Sequence, residues 1–184
     1  MVTTRVADPP AHDDATQPAT RAAIWRALAG VVDPEIPTVS IVELGIVRDV
    51  ARSNGAWVVT VTPTYSGCPA ARIIEADIRA AIASAIGEDV RVVTALAPAW
   101  TTDWIAPEGR QKLRDAGIAP PHAAMHDGST QPRSVTFRRP REAVRCPNCG
   151  SLRTTELARF GSTACKAQYR CTDCLEPFDF FKPH

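Results

Sequence analysis

The chain has 184 residues and a mass of 19.8 kDa, which is room for one ordinary domain and a small module. Apolar residues make up 45% and charged residues 22%, values close to globular averages that argue against wholesale disorder. The sequence has no apolar run long enough to cross a membrane and no basic start followed by an apolar stretch. We therefore expect no membrane span, no secretory signal and a cytoplasmic location.

The net charge of +1 and the six cysteines are both unevenly distributed along the chain. Residues 1–130 carry 11 Lys/Arg and 15 Asp/Glu, whereas residues 131–184 carry 10 and 5, so an acidic body precedes a basic tail. Cys68 belongs to the body, and the other five cysteines lie between Cys146 and Cys174. Because a reducing cytosol disfavours disulfides, this clustering indicates metal binding.

The first third of the chain predicts a leader, a helix and a hairpin. Residues 1–19 begin with a stretch that has no periodicity and are predicted to be a disordered leader, and helical apolar spacing follows up to residue 32. The segment 33–37 holds two prolines and ends that helix. Strand-like runs at 46–52 and 57–62 are joined by Asn54-Gly55, a pair typical of tight hairpins.

The middle of the chain completes an α/β pattern. Isoleucines four residues apart from Ile74 to Ile86 predict a second helix, a Val-rich strand follows at 89–96, and 107–115 predicts a short third helix. The order α-β-β-α-β-α predicts a two-layer α/β sandwich with helices on one sheet face over residues 20–116. Residues 117–141 are predicted to be a proline-rich linker, and 142–184 a zinc ribbon.

The four-cysteine pattern is the strongest motif of the sequence. Cys146-Pro-Asn-Cys149 and Cys171-Thr-Asp-Cys174 are C-x₂-C pairs separated by 21 residues, a spacing that predicts a tetrahedral four-thiolate site. Metal binding would supply folding energy that a module of about 40 residues lacks. We expect structural zinc, although iron in a rubredoxin-like site fits the same spacing. Cys165, between the pairs, is either a buried loop residue or a spare thiol for metal exchange.

Cys68 precedes Pro69 at the predicted start of the second helix. Free N–H groups and the positive helix end favour a thiolate there, and Arg72 could add charge, but a capping thiol without chemistry fits equally well. Asp33, Glu35 and Glu43 form the other candidate cluster. Asp33 and Glu35 flank a proline in a rigid turn, so they could bind metal or simply form a polar loop.

Two further patterns leave alternatives open. Trp100 and Trp104 lie in one loop, as anchors for a partner or as a lid on the core. Arginines cluster near the start of the ribbon, but aromatic residues are not interleaved with them. Nucleic acid is therefore an unlikely partner, and an acidic protein surface or a solvated face fits the arginines better. The cluster comprises Arg133, Arg138, Arg139, Arg141, Arg145 and Arg153.

Several long segments carry a family resemblance. Asp33-Pro-Glu-Ile-Pro, Leu44-Gly-Ile-Val and Thr62-Pro-Thr-Tyr-Ser-Gly-Cys-Pro-Ala resemble SufT-like iron–sulfur assembly domains. With Pro98-Ala-Trp-Thr-Thr-Asp-Trp, Phe160-Gly-Ser-Thr-Ala-Cys-Lys-Ala and the segment 171–182, the chain resembles the PaaD (PaaJ) family, the D components of bacterial phenylacetyl-CoA epoxidase systems.

The resemblance implies an accessory role in aerobic phenylacetate breakdown rather than catalysis. It implies that the chain assists insertion of an iron–sulfur cluster or iron into the reductase or oxygenase component, its expected partners. It further implies that Cys68 is the functional thiol and that Asp33 and Glu35 lie near it. Because one cysteine cannot hold a cluster, this role requires a homodimer or ligands from the client. Two alternatives are a structural subunit of the oxygenase complex and a thiol enzyme that uses Cys68.

Overall fold

A computed structural model of the chain describes residues 16–121 and 143–183. Helix α1 (Thr16–Ala29) begins before the predicted residue 20, so the last residues of the predicted leader are helical, and residues 1–15 lie outside the described part. The segment after α1 does more than end the helix. Strands β1 (Val32–Asp33) and β2 (Ile36–Ser40) form an antiparallel hairpin there, which the prolines at 34 and 37 conceal in the sequence.

The central sheet has the order β3-β4-β5. Strands β3 (Val47–Ser53) and β4 (Ala56–Val61) form the predicted hairpin, and both Asn54 and Gly55 have the positive φ that its tight turn requires. Helix α2 (Ala71–Ile86) then returns the chain so that β5 (Val90–Thr94) pairs with β4 in parallel.

Both long helices cover the same face of this sheet. Helix α1 contacts α2 and β3, and α2 contacts β5. The isoleucine stripe of α2 turns inward as its four-residue spacing predicts, and its first three members are buried. The predicted two-layer α/β sandwich is therefore confirmed. Its core residues include Ile24, Leu28, Val50, Trp57, Val59, Ile74, Ile78 and Ile82.

The segment after β5 leads into the ribbon. A short 3₁₀ turn (Thr102–Trp104) precedes α3 (Pro107–Asp115), which has the predicted bounds. Ile118 and Ala119 were expected in the linker 117–141, but they form strand β6, which joins the ribbon sheet. The remainder of that linker, residues 122–141, lies outside the described residues.

The ribbon is a four-stranded sheet of order β6-β9-β8-β7. It contains β7 (Thr154–Ala158), β8 (Lys166–Cys171) and β9 (Pro177–Phe181), of which β8 was not predicted. Side chains alternate along β9, so Phe178 and Phe180 face the ribbon's own core while Phe181 enters the core of the α/β sandwich.

The ribbon and the sandwich pack against each other directly. The ring of Phe181 lies 5.8 Å from the ring of Trp100, and the sandwich core also receives Cys165. In the described ranges, none of the helices combines the length and the apolar character needed to cross a bilayer.

Candidate functional site

The first candidate site is a four-cysteine centre at the tip of the ribbon. The sulfurs of Cys146, Cys149, Cys171 and Cys174 all lie within 4.8 Å of one another. The Cys146–Cys174 and Cys149–Cys171 sulfur pairs are 3.7 and 3.6 Å apart. Four sulfurs about 2.3 Å from a central ion in a tetrahedron lie about 3.8 Å from each other. The cluster therefore has the size that a zinc-like ion requires and can hold a metal.

Backbone geometry shapes each of the two knuckles. In the first, Gly150 has a φ of 76° and donates its N–H to the carbonyl of Cys146 at 2.9 Å. In the second, the N–H of Asp173 points at the sulfur of Cys171, 3.4 Å away. Backbone N–H groups of Cys174 and then Asp173 lower the pKa of Cys171 to about 7, which favours the thiolate that a metal needs.

Two of the clustered arginines serve these knuckles. Arg153 forms an ion pair with Asp173 between the two cysteines of the second pair. Arg145 donates to the carbonyl of Gly150 at 2.6 Å, beside the first pair. Both side chains thus have local structural partners. The arginines at 133, 138, 139 and 141 lie outside the described residues.

The second candidate site lies at the entrance to α2. The helix begins at Ala71, later than expected, so Pro69 is not its first residue and Cys68 is not its N-cap. Cys68 is partly buried and lines a cavity of about 90 Å³ together with Asp33 and Thr64. The remaining walls are largely apolar and come from Ile46, Val61, Ile74 and Val92. This cavity is where the sandwich presents a thiol beside a carboxylate.

The electrostatics at Cys68 are opposite to the expected thiolate activation. Burial raises the pKa of Cys68, the N–H groups of Ala70 and Ala71 oppose this, and the charges of Asp33 and Glu35 raise it further. Burial and the two acids therefore outweigh the helix start. At neutral pH Cys68 is a thiol, which a metal must deprotonate to bind.

Asp33 and Glu35 lie together in the β1–β2 hairpin. Asp33 is only 7% exposed, and its carboxylate accepts the N–H of Glu35 at 2.8 Å. Burial raises the pKa of Asp33, and burial together with the charge of Asp33 raises the pKa of Glu35. Cys68, Asp33 and Glu35 thus form one electrostatically coupled group. Glu43 is elsewhere: its carboxylate binds Ser40 and Lys112.

Cys165 lies outside the four-cysteine centre and against the hairpin instead. Its sulfur is 3.9 Å from the Glu35 carboxylate and 3.1 Å from the Thr163 hydroxyl. The adjacent Lys166 is 5% exposed and pairs with Asp179 at 3.4 Å. Lys166 was not predicted as a site residue, and the signal for it is a lysine at an inward position of a strand.

The tryptophan loop closes the core. Trp100 is 3% exposed and donates its indole N–H to the carbonyl of Leu44 at 2.9 Å. Trp104 is partly buried, and the guanidinium of Arg48 lies 3.3 Å from its ring centroid. Of the two interpretations, the structure supports the lid rather than the partner anchor.

Comparison with known families assigns both units of the chain. Residues 21–94 match the family described as iron-sulfur cluster assembly protein, and residues 130–182 match the PaaD zinc beta ribbon domain. A crystal structure of the domain of unknown function DUF59 from Bacillus anthracis is 30% identical, with a TM-score of 0.50 over 55% of this chain and 97% of that one. The fold and the cysteine centre therefore define an iron–sulfur assembly domain that carries a zinc ribbon domain.

Two curated relatives extend the comparison. One, from Escherichia coli (strain K12), is named as the D component, a subunit, of a "Putative 1,2-phenylacetyl-CoA epoxidase". The chain is 49% identical to it over 86% of this chain and 90% of the relative. The chain is also 36% identical to the "Fe-S protein maturation auxiliary factor" of Porphyromonas gingivalis, over 49% of this chain and 87% of the relative. The chain belongs to the PaaD family of phenylacetyl-CoA epoxidase components.

Proposed function

We propose that this chain is a non-catalytic maturation component of a phenylacetyl-CoA epoxidase system in the cytoplasm. It transiently holds iron or an iron–sulfur cluster at Cys68, with Asp33 or Glu35, and passes it to the reductase or oxygenase. The observation that carries the proposal is that Cys68 and Asp33 line one cavity in the domain that matches iron–sulfur assembly proteins.

The chemistry of the cavity suits transient holding. The thiol of Cys68 is protonated at neutral pH, so iron binding releases a proton and proton uptake favours iron release. One thiol and one or two carboxylates leave coordination positions open to a client, unlike a closed four-thiolate site. A cluster held here needs further thiolates, which a second copy or the client would supply.

The ribbon has a structural and docking role in this proposal. Cys146, Cys149, Cys171 and Cys174 hold zinc, because zinc prefers closed tetrahedral thiolate sites. The assembly unit (20–116) and the ribbon (142–184) then act as separate modules in one chain, joined by the segment 117–141.

An iron-transfer assay tests the proposal. The chain is loaded anaerobically with Fe²⁺ and incubated with iron-free reductase or oxygenase, and iron and sulfide in the re-isolated client are measured. Cys68→Ser should lower client loading at least tenfold, since the thiolate ligand is lost, while Ser66→Ala in the same loop should leave it unchanged. Equal loading by Cys68→Ser and the unsubstituted chain would reject the proposal.

A permanent structural subunit is the second candidate, supported by the word "subunit" in the name of the E. coli relative. It predicts stoichiometric co-purification with the oxygenase, whereas a maturation factor dissociates once loading is complete. A thiol enzyme has less support, because the raised pKa of Cys68 leaves little thiolate at neutral pH.

A further inference from the structure

The ribbon places a second thiol beside the acids of the assembly domain. Cys165 is separated by 130 residues from Glu35, yet its sulfur lies 3.9 Å from a Glu35 carboxylate oxygen. It is 8% exposed and belongs to the core of the α/β sandwich, against which Cys68 also packs. We call Asp33, Glu35, Cys68 and Cys165 the interface cluster.

Contacts run continuously through the interface cluster. Cys68 and Asp33 line the same cavity, Asp33 accepts the N–H of Glu35 at 2.8 Å, and Glu35 accepts from Cys165. Both thiols feel the charges of both carboxylates. The two cysteines therefore approach one pair of acids from two different parts of the fold.

The backbone holds Cys165 in this position. The carbonyl of Cys165 accepts the N–H of Lys182 at 2.9 Å, which ties the loop to the end of β9. The N–H of Gly161 donates to the carbonyl of Lys166 at 2.8 Å and closes the same loop. Since Phe181, next to Lys182, is anchored in the sandwich core, the loop is fixed to both units.

A buried cation completes the surroundings. Lys166 is 5% exposed, pairs with Asp179, and its charge acts on Asp33, Glu35 and Cys165. An ammonium group here compensates the two carboxylates when no metal is bound. The pocket is therefore built around negative charge that a divalent cation would take over.

We propose that Cys165 is the second thiolate ligand of the metal site, so that the assembly domain and the ribbon build one Fe²⁺ site together within a single chain. The inference rests on the proposed function and adds the ligand that the function lacked. Two thiolates and a carboxylate form a mixed sulfur–oxygen donor set suited to borderline divalent ions.

The observed geometry is close to what such an ion requires. A sulfur and a carboxylate oxygen on one tetrahedral ion of zinc's size lie about 3.6 Å apart, against the 3.9 Å between Cys165 and Glu35. Binding converts two thiols to thiolates and releases two protons to the solvent, with no change in oxidation state. The Thr163 hydroxyl, 3.1 Å from the Cys165 sulfur, remains available as a donor to that thiolate.

Cobalt spectroscopy on the zinc-filled chain tests the inference. Zinc outranks cobalt in affinity at such sites, so Co²⁺ added without oxygen leaves the ribbon ion in place and probes the second site. The near-ultraviolet thiolate-to-cobalt band grows with the number of thiolate ligands. We expect one Co²⁺ per monomer with a two-thiolate band, and half that intensity in both Cys68→Ser and Cys165→Ser.

Controls separate this inference from the proposed function. Ser162→Ala, an exposed change in the same loop, should keep the full band, and unchanged zinc content shows that each variant has an intact ribbon. A full band in Cys165→Ser with a halved band in Cys68→Ser overturns the role of Cys165 and leaves the proposed function standing. No band in the unsubstituted chain overturns both.

A second measurement does not depend on the variants folding. Iron-edge X-ray absorption of the Fe²⁺-loaded, zinc-filled chain counts the sulfur neighbours of iron alone. Two sulfurs per iron in a monomer support the inference. A single sulfur, or two sulfurs that appear only in a dimer, would contradict it.

Discussion

At the scale of single residues, Glu43 shows how a site candidate can turn out to be structural. Its carboxylate accepts from the N–H and hydroxyl of Ser40 at 2.9 and 3.0 Å and pairs with Lys112 at 2.7 Å. Burial would raise the pKa of Glu43, but the bonds from Lys112 and Ser40 outweigh burial and lower it. The side chain therefore ties α3 to the end of β2.

Glu43→Gln should lower the free energy of unfolding by about 1 to 2 kcal/mol at pH 7, because charge-assisted bonds are lost. Since the folded-state pKa is lowered, this contribution is complete above the ordinary value of 4.5 and disappears as the pH falls through the folded-state pKa. Urea unfolding from pH 7 to pH 3 measures it. Glu88→Gln, whose pair with Arg52 spans 3.9 Å at the surface, should cost less than about 1 kcal/mol. Equal costs for both variants at pH 7 would contradict this assignment.

At the scale of elements, the junction between β2 and β3 depends on one glycine. Gly45 has a φ of +68°, and a Cβ there would lie 2.4 Å from the Trp104 carbonyl oxygen. Ile46, the next residue, accepts the N–H of Thr62 and so aligns β3 with the segment that leads to Cys68. The close approach of the tryptophan loop thus positions the strand beside the cavity.

Gly45→Ala should therefore cost about 3 to 5 kcal/mol, from left-handed strain and overlap with the Trp104 backbone. Gly87→Ala is the matched control, because Gly87 has a φ of +70° but an added methyl group would meet nothing within 4 Å. It should cost only about 1 kcal/mol. Thermal and urea unfolding of both variants measure the difference, and similar losses would show that the contact with Trp104 has no energetic weight.

At the scale of the whole molecule, β9 joins two cores. Phe178 and Phe180 lie in the ribbon core beside Tyr169, and Phe181 lies in the sandwich core beside Trp100. The period of two along a strand makes this division unavoidable once β9 is buried on both faces. The ribbon therefore contributes directly to the stability of the assembly domain.

Phe181→Ala should remove about 3 to 5 kcal/mol of stability, since a large side chain that is 1% exposed leaves a cavity. Hydrogen exchange should then rise in β3, β4 and α1 of the sandwich. Phe178→Ala, on the opposite face of the same strand, should instead raise exchange in β7 and β8 and weaken metal binding by the ribbon. The same exchange pattern in both variants would contradict two cores joined by β9.

Local patterns predicted much of this fold. The hairpin at Asn54-Gly55, the isoleucine stripe of α2 and the bounds of α3 follow from short-range geometry that the sequence spells out. Strand β8 was missed because Lys, Gln and Arg interrupt its apolar positions, and the lysine is compensated only by a partner on β9. The β1–β2 hairpin was missed because its prolines resemble a simple helix stop.

The sequence by itself determined the sandwich, the four-cysteine centre and the family, because spacing and periodicity are local properties of the chain. Only the tertiary structure decided the surroundings of the two remaining cysteines. Burial and two carboxylates keep Cys68 protonated despite its place near a helix start. Cys165 meets Glu35 across 130 residues of sequence because the two cores share β9. Long-range packing sets both outcomes, and no local pattern encodes it.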